Sequence, residues 1–382
     1  RQQMRHLRQN IRKLLVRLDN AIVVEGTWDR VTVEFPDDRG LSGLVLDAVL
    51  RIPGISTIQE IGVFPFVDLD DIADKAVEAF AERLKGQTFG VRVRRHGDHK
   101  FRSSELERIV GSALMQASEA AGVNLKSPDV EVRIEVQDDH FHIAHRKHRG
   151  LGGYPLGSVE TVMTLISGGY DSSVAAYLMM RRGLRSHFLF FNLGGTAHEV
   201  GVRQVVHYLW EQYGASHSAK FISVPFDGVI AEIMRSVNHR HWGVVLKRQM
   251  LKAAAEIAKK NNAIGLVTGD AVAQVSSQTL SNLNVVDRAS DEVVLRPLVS
   301  MDKESIIRIA REIGTEVYAR NMPEYCGVIS QKPATRAKLH RVEEDESRMD
   351  ASVLASAIEA REETPVNRLL ETTVTPEEVE MV

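Results

Sequence analysis

The 382-residue sequence is poor in cysteine, in aromatic residues and in long apolar runs. Its single cysteine, Cys326, has no partner for an internal disulfide and excludes a zinc or iron–sulfur site built on CxxC pairs within this chain. No apolar run approaches the roughly 20 residues that a membrane-spanning helix needs, and the first residues lack the apolar core of a signal peptide. We therefore expect a cytoplasmic protein with no membrane segment.

The charge is unevenly distributed. Residues 341–382 carry four basic and twelve acidic side chains, so residues 1–340 carry 44 basic against 39 acidic ones. A mildly basic body with an acidic C-terminal tail permits a polyanionic partner, but a solvated body with a mobile tail explains the same charges. The length predicts two or three domains of ordinary size.

Residues 1–150 have an α+β pattern. Apolar residues at helical spacing predict a helix over 72–84, and strict alternation predicts strands at 89–93 and 130–136. Another helix is predicted from about Ser103, with Ser104 and Glu107 as a capping box. Charged outer faces favour a small antiparallel or mixed sheet backed by helices.

A glycine-rich stretch follows at 150–157. Its spacing superficially matches a dinucleotide-binding motif, but charged residues precede it and no clear helix follows, so a domain linker is the better interpretation. From residue 161, short apolar runs at 162–166, 187–191, 221–224 and 264–267 alternate with helical patterns. Runs buried on both faces indicate a parallel sheet in a doubly wound α/β domain.

The strongest motif is Ser167-Gly168-Gly169-Tyr170-Asp171-Ser172, between a predicted strand and a predicted helix. Two glycines let backbone N–H groups approach an anion, and the positive end of the following helix points at the same place. A carboxylate beside a phosphate needs an intervening cation, so Asp171 is a candidate to organise Mg²⁺. The alternative role of Asp171 is an N-terminal helix cap. The loop lacks the GxxxxGK[ST] pattern of a Walker A motif.

This loop resembles the SGGxDS loop of the PP-loop ATP pyrophosphatases. The resemblance implies that ATP is cleaved between its α and β phosphates and that AMP passes to an acceptor oxygen. Three further stretches resemble the tRNA 4-thiouridine synthetase family, ThiI: Phe191-Asn192-Leu193-Gly194-Gly195, Gly269-Asp270-Ala271-Val272-Ala273-Gln274-Val275-Ser276-Ser277-Gln278 and Met322-Pro323-Glu324-Tyr325-Cys326-Gly327-Val328.

The family resemblance implies a domain order. It comprises a ferredoxin-like segment at 1–42, a THUMP RNA-binding domain at 43–147, a glycine-rich linker at 148–160, a PP-loop domain (adenine nucleotide alpha hydrolase-like) at 161–340 and an acidic tail at 341–382. It also implies ATP contacts from Leu165, Ile166, Ser167, Gly168, Gly169, Ser172, Lys247, Gly269 and Gln278. Lys247 offers an ammonium to a phosphate oxygen, although it also suits an exposed helix face, and Gln278 can hydrogen-bond ribose or base.

The same resemblance implies a two-step reaction in which Asp171 and Cys326 are catalytic. ATP, with Mg²⁺, adenylates O4 of the uridine at tRNA position 8, and a persulfide then delivers sulfur to C4. Cys326 would resolve the donor by forming a disulfide with it. A free cysteine is more often a small buried apolar residue, and the nearby Glu324 disfavours its thiolate, so activation would need a cation from elsewhere.

The expected partners follow from this chemistry. They are tRNA and a persulfide donor, either a cysteine desulfurase or a rhodanese-like protein. Longer family members carry a C-terminal rhodanese-like domain, whereas this sequence stops at Val382, so we expect either a truncated chain or a separate sulfur carrier. The resemblance also allows a homodimer and sulfur supply, through a carrier protein, for thiamine thiazole synthesis.

Two basic clusters are candidates for RNA contact: Arg92, Arg94, Arg95, Lys100 and Arg102, and then Arg146, Lys147 and Arg149. Taken singly, these are ordinary solvated side chains, but on a THUMP-like fold they would bind tRNA phosphates. With few aromatic residues available for stacking, recognition of tRNA shape is favoured over base reading. A PP-loop synthetase acting on a small molecule and a non-catalytic tRNA-binding module are the competing hypotheses.

Overall fold

The computed structural model describes residues 2–36, 38–320, 322 and 332–371. Contacts divide the chain into two compact units, residues 56–150 and the combination of residues 1–55 with 151–382. The predicted domain boundaries at 42/43 and 147/148 differ from these divisions, and the domain assignment stays a prediction. Within the described ranges, none of the helices has both the length and the apolar character that crossing a membrane requires.

The chain begins with two helices that flank a hairpin. These elements are α1 (Gln2–Leu15), β1 (Val23–Gly26), β2 (Val31–Glu34) and α2 (Arg39–Leu50). Helix α1 buries Leu7, Ile11 and Leu15. Its Asn10 side chain is buried and donates to the Leu156 carbonyl at 2.9 Å, which anchors the helix to the chain that follows residue 150.

Residues 56–150 form a mixed five-stranded sheet with the order β3-β7-β6-β4-β5. The strands are β3 (Thr57–Pro65), β4 (Thr88–His96), β5 (Gly122–Val123), β6 (Val130–Gln137) and β7 (His140–Arg149), and the helices are α3 (Leu69–Phe80) and α4 (Ser103–Ala117). Strand β4 runs parallel to β5 and β6, whereas β7 is antiparallel to β3 and β6. The alternating apolar residues of β4 and β6 form one core with both helices, which confirms the predicted one-sided strands.

Local interactions correct one predicted helix start and one predicted helix cap in this unit. Helix α3 begins before residue 72 because Asp68 and Asp71 form a reciprocal capping box there. Glu107 does not cap α4; its Oε1 accepts a hydrogen bond from the backbone N–H of Val93 at 2.9 Å. At the start of α4, Glu105 Oε2 instead accepts a hydrogen bond from the backbone N–H of Arg102 at 3.5 Å.

The described part of residues 151–371 forms an α/β sheet with the order β12-β11-β8-β9-β10-β13. The strands are β8 (Thr161–Leu165), β9 (Arg185–Asn192), β10 (Lys220–Pro225), β11 (Gly265–Val267), β12 (Val293–Leu295) and β13 (Glu362–Pro365). The helices are α5 (Tyr170–Arg181), α6 (Gly195–Leu209), α7 (Asp227–Ser236), α8 (Trp242–Lys260), α9 (Leu280–Asp287), α10 (Lys303–Glu312), α11 (Glu316–Ala319), α12 (Leu339–Glu346) and α13 (Ala351–Glu359).

All neighbouring strands of this sheet are parallel except β13, which is antiparallel to β10. Successive strand residues point into two different cores: Phe188 and Phe190 pack on one side, and Leu189 and Phe191 pack on the other. Helices cover both faces, so the predicted doubly wound α/β class is confirmed.

The strand order reverses at β8. The chain adds β9 and β10 on one side of β8 and then returns to place β11 and β12 on the other side. In open α/β sheets a crevice forms at such a point, outside the carboxyl ends of the strands. The loops that follow β8 and β11 lie on either side of it.

The acidic C-terminal segment was expected to be a tail, but its described part, residues 341–371, is folded. Val342 and Ile358 are buried in the core that contains α8. The carboxylate of Glu346 accepts two hydrogen bonds from the Arg248 guanidinium, at 2.9 and 3.0 Å. Gln249 and Lys252 donate to the same carboxylate at 3.0 Å each. Here the acidic side chain compensates buried positive charge.

We expect Glu346→Gln to lower the free energy of unfolding by about 3 kcal/mol, because it leaves the buried Arg248 guanidinium without its counter-charge. Burial raises the pKa of Glu346, but the Arg248 and Lys252 interactions outweigh it and lower that pKa overall. The stabilisation should therefore be lost as the pH falls through the acid range. Urea unfolding at neutral and acid pH measures both effects.

Glu344→Gln is the matched control, because Glu344 pairs with Arg348 on the surface. Its free energy of unfolding should change by less than about 0.5 kcal/mol. Equal losses in the two variants would contradict a special role for the buried pair.

Candidate functional site

The SGGYDS loop connects β8 to α5. Ser172 Oγ accepts a hydrogen bond from the backbone N–H of Ser167 at 3.1 Å, and the two serine hydroxyls lie 3.1 Å apart. Gly169 is the residue before the first helical turn, and its carbonyl accepts from Ser173 Oγ at 2.9 Å. These bonds close the loop onto the helix, so that the positive end of α5 faces the crevice.

The SGGYDS loop is tightly packed against Met322 and Val202. Gly168 has φ +80, and a Cβ there would lie 2.5 Å from Met322 Cε and 3.2 Å from Val202 Cγ2. The buried His198 places its Nε2 3.2 Å from the Ser167 carbonyl oxygen, so this nitrogen carries the proton. Burial lowers the pKa of His198 despite the opposing effects of this bond and of the Glu199 charge. A neutral histidine thus supports the loop backbone.

Asp171 accepts hydrogen bonds at both carboxylate oxygens. Lys303 Nζ donates to Oδ1 at 2.8 Å, and Gln274 Nε2 donates to Oδ2 at 2.7 Å. The ammonium of Lys303 also lies 5.6 Å from the centre of the Tyr170 ring. Asp171 makes no capping hydrogen bond to α5, so the alternative role of helix cap does not describe it.

The loop after β11 touches the start of α5. A Cβ on Gly269 would lie 2.7 Å from the carbonyl carbon of Asp171 and 2.8 Å from the backbone nitrogen of Ser172. Real Cβ atoms do not come so close to backbone, so only glycine allows this approach. The residue type at position 269 therefore sets how closely the two halves of the crevice fit.

Asp270 joins the remaining predicted residues. Its Oδ1 accepts hydrogen bonds from Lys247 Nζ at 2.5 Å and from Gln278 Nε2 at 3.1 Å. Its Oδ2 accepts from Thr268 Oγ1 at 2.8 Å and lies 3.4 Å from Arg296 Nε. Burial raises the pKa of Asp270, but the Lys247 charge and these hydrogen bonds lower it to about 2. The carboxylate is ionised at neutral pH.

The structure thus brings most of the predicted ATP-site residues to one crevice. Leu165 ends β8 and Ile166 follows it, Gly269 packs against α5, and Lys247 meets Gln278 at Asp270. The predicted catalytic residue Cys326 lies outside the described residues. Among the described residues, no cluster of three or more His, Cys, Asp or Glu side chains is arranged to hold a metal ion.

Asp270, Gln274 and Lys303 have no role predicted from the sequence. Asp270 and Gln274 belong to a stretch already recognised by resemblance, so that stretch was the available signal. Lys303 follows the helix cap Asp302 in an ordinary amphipathic helix, with no motif around it. Only the folded chain brings it to Asp171, 132 residues away in sequence.

The predicted RNA-binding residues all belong to the unit of residues 56–150. Six of them are exposed: Arg94, Lys100, Arg102, Arg146, Lys147 and Arg149. Arg92 is half-buried and donates to the Leu125 carbonyl. Arg95 donates to Ser103 Oγ at 3.2 Å and lies 5.5 Å from the centre of the Phe101 ring. The last two side chains therefore have contacts of their own within the unit.

A further basic segment was missed in the sequence analysis. Residues 2–18 contain no acidic residue, and α1 carries the exposed cations Arg5, Arg8, Arg12 and Lys13. Lys13 Nζ donates to the Ser216 carbonyl at 3.3 Å. The absence of acidic residues was the signal that could have identified this segment.

Two family models match the sequence. The model for ThiI, described as a thiamine biosynthesis protein, matches residues 157–351, and the THUMP domain model matches residues 66–146. The chain is 77% identical over 381 residues to the tRNA sulfurtransferase of Marinobacter nauticus, covering 100% of this chain and 79% of that protein. It is 51% identical over 356 residues to the tRNA sulfurtransferase of Pseudomonas aeruginosa, covering 93% and 74%.

Two solved structures have a similar fold. A 4-thiouridine synthetase crystallised with RNA and bound ATP superposes with a TM-score of 0.82 at 24% identity, covering 95% of this chain and 94% of that one. The protein PH1313 from Pyrococcus horikoshii has a TM-score of 0.56 at 19% identity, covering 82% and 93%. At these identities the superpositions support the fold alone.

We expect Gly269→Ala to lower the free energy of unfolding by about 1–3 kcal/mol, because the added methyl must displace the backbone at Asp171. Gly169→Ala is the matched control, since the nearest atom to its Cβ would be Ser167 Oγ at 3.7 Å. Its change should stay below about 1 kcal/mol. Thermal unfolding of both variants tests the difference, and equal destabilisation would contradict the close approach at Gly269.

Proposed function

Since this chain belongs to the ThiI family, we propose that it is a tRNA sulfurtransferase, an enzyme that uses ATP to convert the uridine at tRNA position 8 into 4-thiouridine. The observation that carries this proposal is the joint placement of the SGGYDS loop, Lys247 and Gln278 at the crevice where the strand order reverses. That arrangement suits ATP, and the family relationship supplies tRNA as the acceptor.

The first step is adenylation. O4 of the uridine attacks the α-phosphorus of ATP, pyrophosphate leaves, and AMP becomes attached to the base. The loop N–H groups and the positive end of α5 bind phosphate oxygens. Lys247 and Lys303 supply positive charge where the pyrophosphate carries its negative charge. Asp171 and Asp270 hold these two ammonium groups, so the charges are positioned before ATP arrives.

Mg²⁺ was expected to accompany ATP, with Asp171 organising it. In the structure both oxygens of Asp171 already accept hydrogen bonds from Lys303 and Gln274. This donor set does not fit direct coordination of Mg²⁺ by Asp171. The role that we propose for Asp171 is to position Lys303 and Gln274.

The second step transfers sulfur. A persulfide carried by a cysteine desulfurase or a rhodanese-like protein attacks C4, and AMP leaves with the former O4. The Cys326 thiolate then attacks the donor sulfur, so that the thiocarbonyl is released and a disulfide joins Cys326 to the donor. A reductant must regenerate both thiols. The family relationship also allows sulfur supply for thiamine synthesis, through a carrier protein.

tRNA binding is proposed for the exposed basic residues of the 56–150 unit, which includes the THUMP match. Because these side chains would contact phosphates, affinity should fall steeply with salt. The exposed cations of α1 add a second basic surface.

The deciding experiment incubates the chain with ATP, Mg²⁺, unmodified tRNA and a persulfide donor, and measures pyrophosphate and 4-thiouridine. We expect pyrophosphate release that depends on tRNA and a thiolated nucleoside only when the donor is present. A Cys326→Ser arm should release pyrophosphate but form no 4-thiouridine. Release with a small acceptor and no tRNA would instead indicate a small-molecule synthetase, and tRNA binding without turnover would indicate a binding module.

Asp171→Ala should reduce the adenylation rate at least about a hundredfold, because Lys303 and Gln274 lose the carboxylate that positions them. tRNA affinity should stay within about twofold, since Asp171 lies outside the basic surfaces. Single-turnover pyrophosphate release and filter binding measure the two quantities. Unchanged pyrophosphate release would refute the proposed role of Asp171.

A further inference from the structure

Asp270 is a buried carboxylate to which two ATP-site side chains converge. Its side chain is only 10% exposed, and its Oδ1 alone accepts from both Lys247 and Gln278. Thr268 Oγ1 donates to the other oxygen, and the Arg296 guanidinium forms an ion pair with it. Donors on both oxygens fix the plane of the carboxylate, so the positions of Lys247 and Gln278 both depend on it.

The Asp270 carboxylate also fixes the orientation of the Gln278 side-chain amide. An ionised carboxylate only accepts hydrogen bonds, so the NH₂ group of Gln278 must point at Asp270. The amide oxygen, Oε1, must then point in the other direction. Were the amide reversed, two oxygens would face each other and repel.

Gln278 Oε1 is buried, and no donor among the described residues reaches it. The residue as a whole is 8% exposed, so water gives this oxygen little compensation. A buried acceptor without a donor is costly, and such an atom in a native fold calls for an explanation. A ligand that supplies a hydrogen-bond donor to Gln278 Oε1 is one such explanation.

The chemistry of ATP limits which donor this is. Phosphate oxygens only accept hydrogen bonds, whereas the nucleoside part carries donors: the 6-amino group of adenine and the ribose hydroxyls. An amide oxygen fixed as an acceptor therefore pairs with the nucleoside part and not with the phosphates. The Lys247 ammonium, held on the same carboxylate oxygen, retains further N–H groups for phosphate.

We propose that Asp270 is a positioning residue for ATP: it holds Gln278 with Oε1 as an acceptor for an amino or hydroxyl group of the nucleoside, and it holds Lys247 beside it. This inference rests on the proposed function as far as ATP is the ligand. Beyond that function, it gives Asp270 a role and makes Gln278 Oε1 the acceptor in its contact with the nucleoside. Its ionised state suits the task, because the pKa of Asp270 lies far below neutral pH.

The test is equilibrium binding of ATP, inosine triphosphate, 2′-deoxy-ATP and 3′-deoxy-ATP by calorimetry, without tRNA or sulfur donor. The wild-type chain should bind the analogue that lacks the paired donor at least about fivefold more weakly than ATP. That analogue also identifies whether the donor is the amino group or a hydroxyl.

Asp270→Asn should weaken ATP binding about ten- to a hundredfold and should reduce the preference over that analogue to below about twofold, because the Gln278 amide is no longer fixed. A purely structural role would weaken ATP and all three analogues by one common factor. That outcome, or a wild-type chain that binds all four nucleotides equally, would overturn the proposal.

Two further variants serve as a control and as a substitute if Asp270→Asn does not fold. Asp287→Asn removes the other carboxylate on Arg296, whose Nη1 donates to it at 3.1 Å, and should bind all four nucleotides as the wild type does. If Asp270→Asn does not fold, Asp270→Glu keeps the charge but shifts the carboxylate by one methylene, and it should lose the same preference. Retained preference in Asp270→Glu would overturn the proposal.

The binding experiment is separable from the proposed function. A wild-type chain that binds ATP but releases no pyrophosphate with tRNA would refute the sulfurtransferase reaction. The comparison of nucleotides would still decide the role of Asp270.

Discussion

The contact between Gly269 and the start of α5 is the constraint on which the rest of the site depends. Strands β8 and β11 are neighbours in the sheet, but neighbouring strands alone do not align their loops. The absence of a side chain at position 269 lets the backbone of one loop rest against Asp171 and Ser172 of the other. The SGGYDS loop and the side chains that contact Asp270 are therefore assembled as one surface.

Two carboxylates organise the charges on this surface. Asp171 takes Lys303 and Gln274, and Asp270 takes Lys247 and Gln278. Each is a carboxylate that binds one ammonium and one amide. Asp171 follows β8, whereas Asp270 follows β11 on the other side of the strand-order reversal. A crevice that accepts a highly charged nucleotide is thus kept ordered by ion pairs between its own side chains. An ammonium held in place loses less entropy on meeting a phosphate than a free one.

The sequence predicted the α/β class, the strands that form both cores and the position of the SGGYDS loop between a strand and a helix, because these depend on local periodicity and on a short motif. It could not predict Lys303, because the pairing with Asp171 joins helices far apart in the chain. The capping role given to Glu107 failed for a related reason: a side chain at a plausible local position was bound instead by the neighbouring strand. The acidic segment was misjudged from its net charge, since Glu346 faces a buried arginine that charge counting does not reveal.

The antiparallel strand β13 forms one edge of the sheet and covers β10. Without it, β10 would be the terminal strand, with its four central residues apolar or small and its backbone groups on one side unpaired. Such an edge is a template for pairing with another chain. Residues 362–365 occupy that position, and Lys220 pairs with Glu363 across the two strands at 2.9 Å. The acidic segment therefore covers a strand edge that is otherwise open to pairing, and a chain shortened before Glu362 should self-associate through β10.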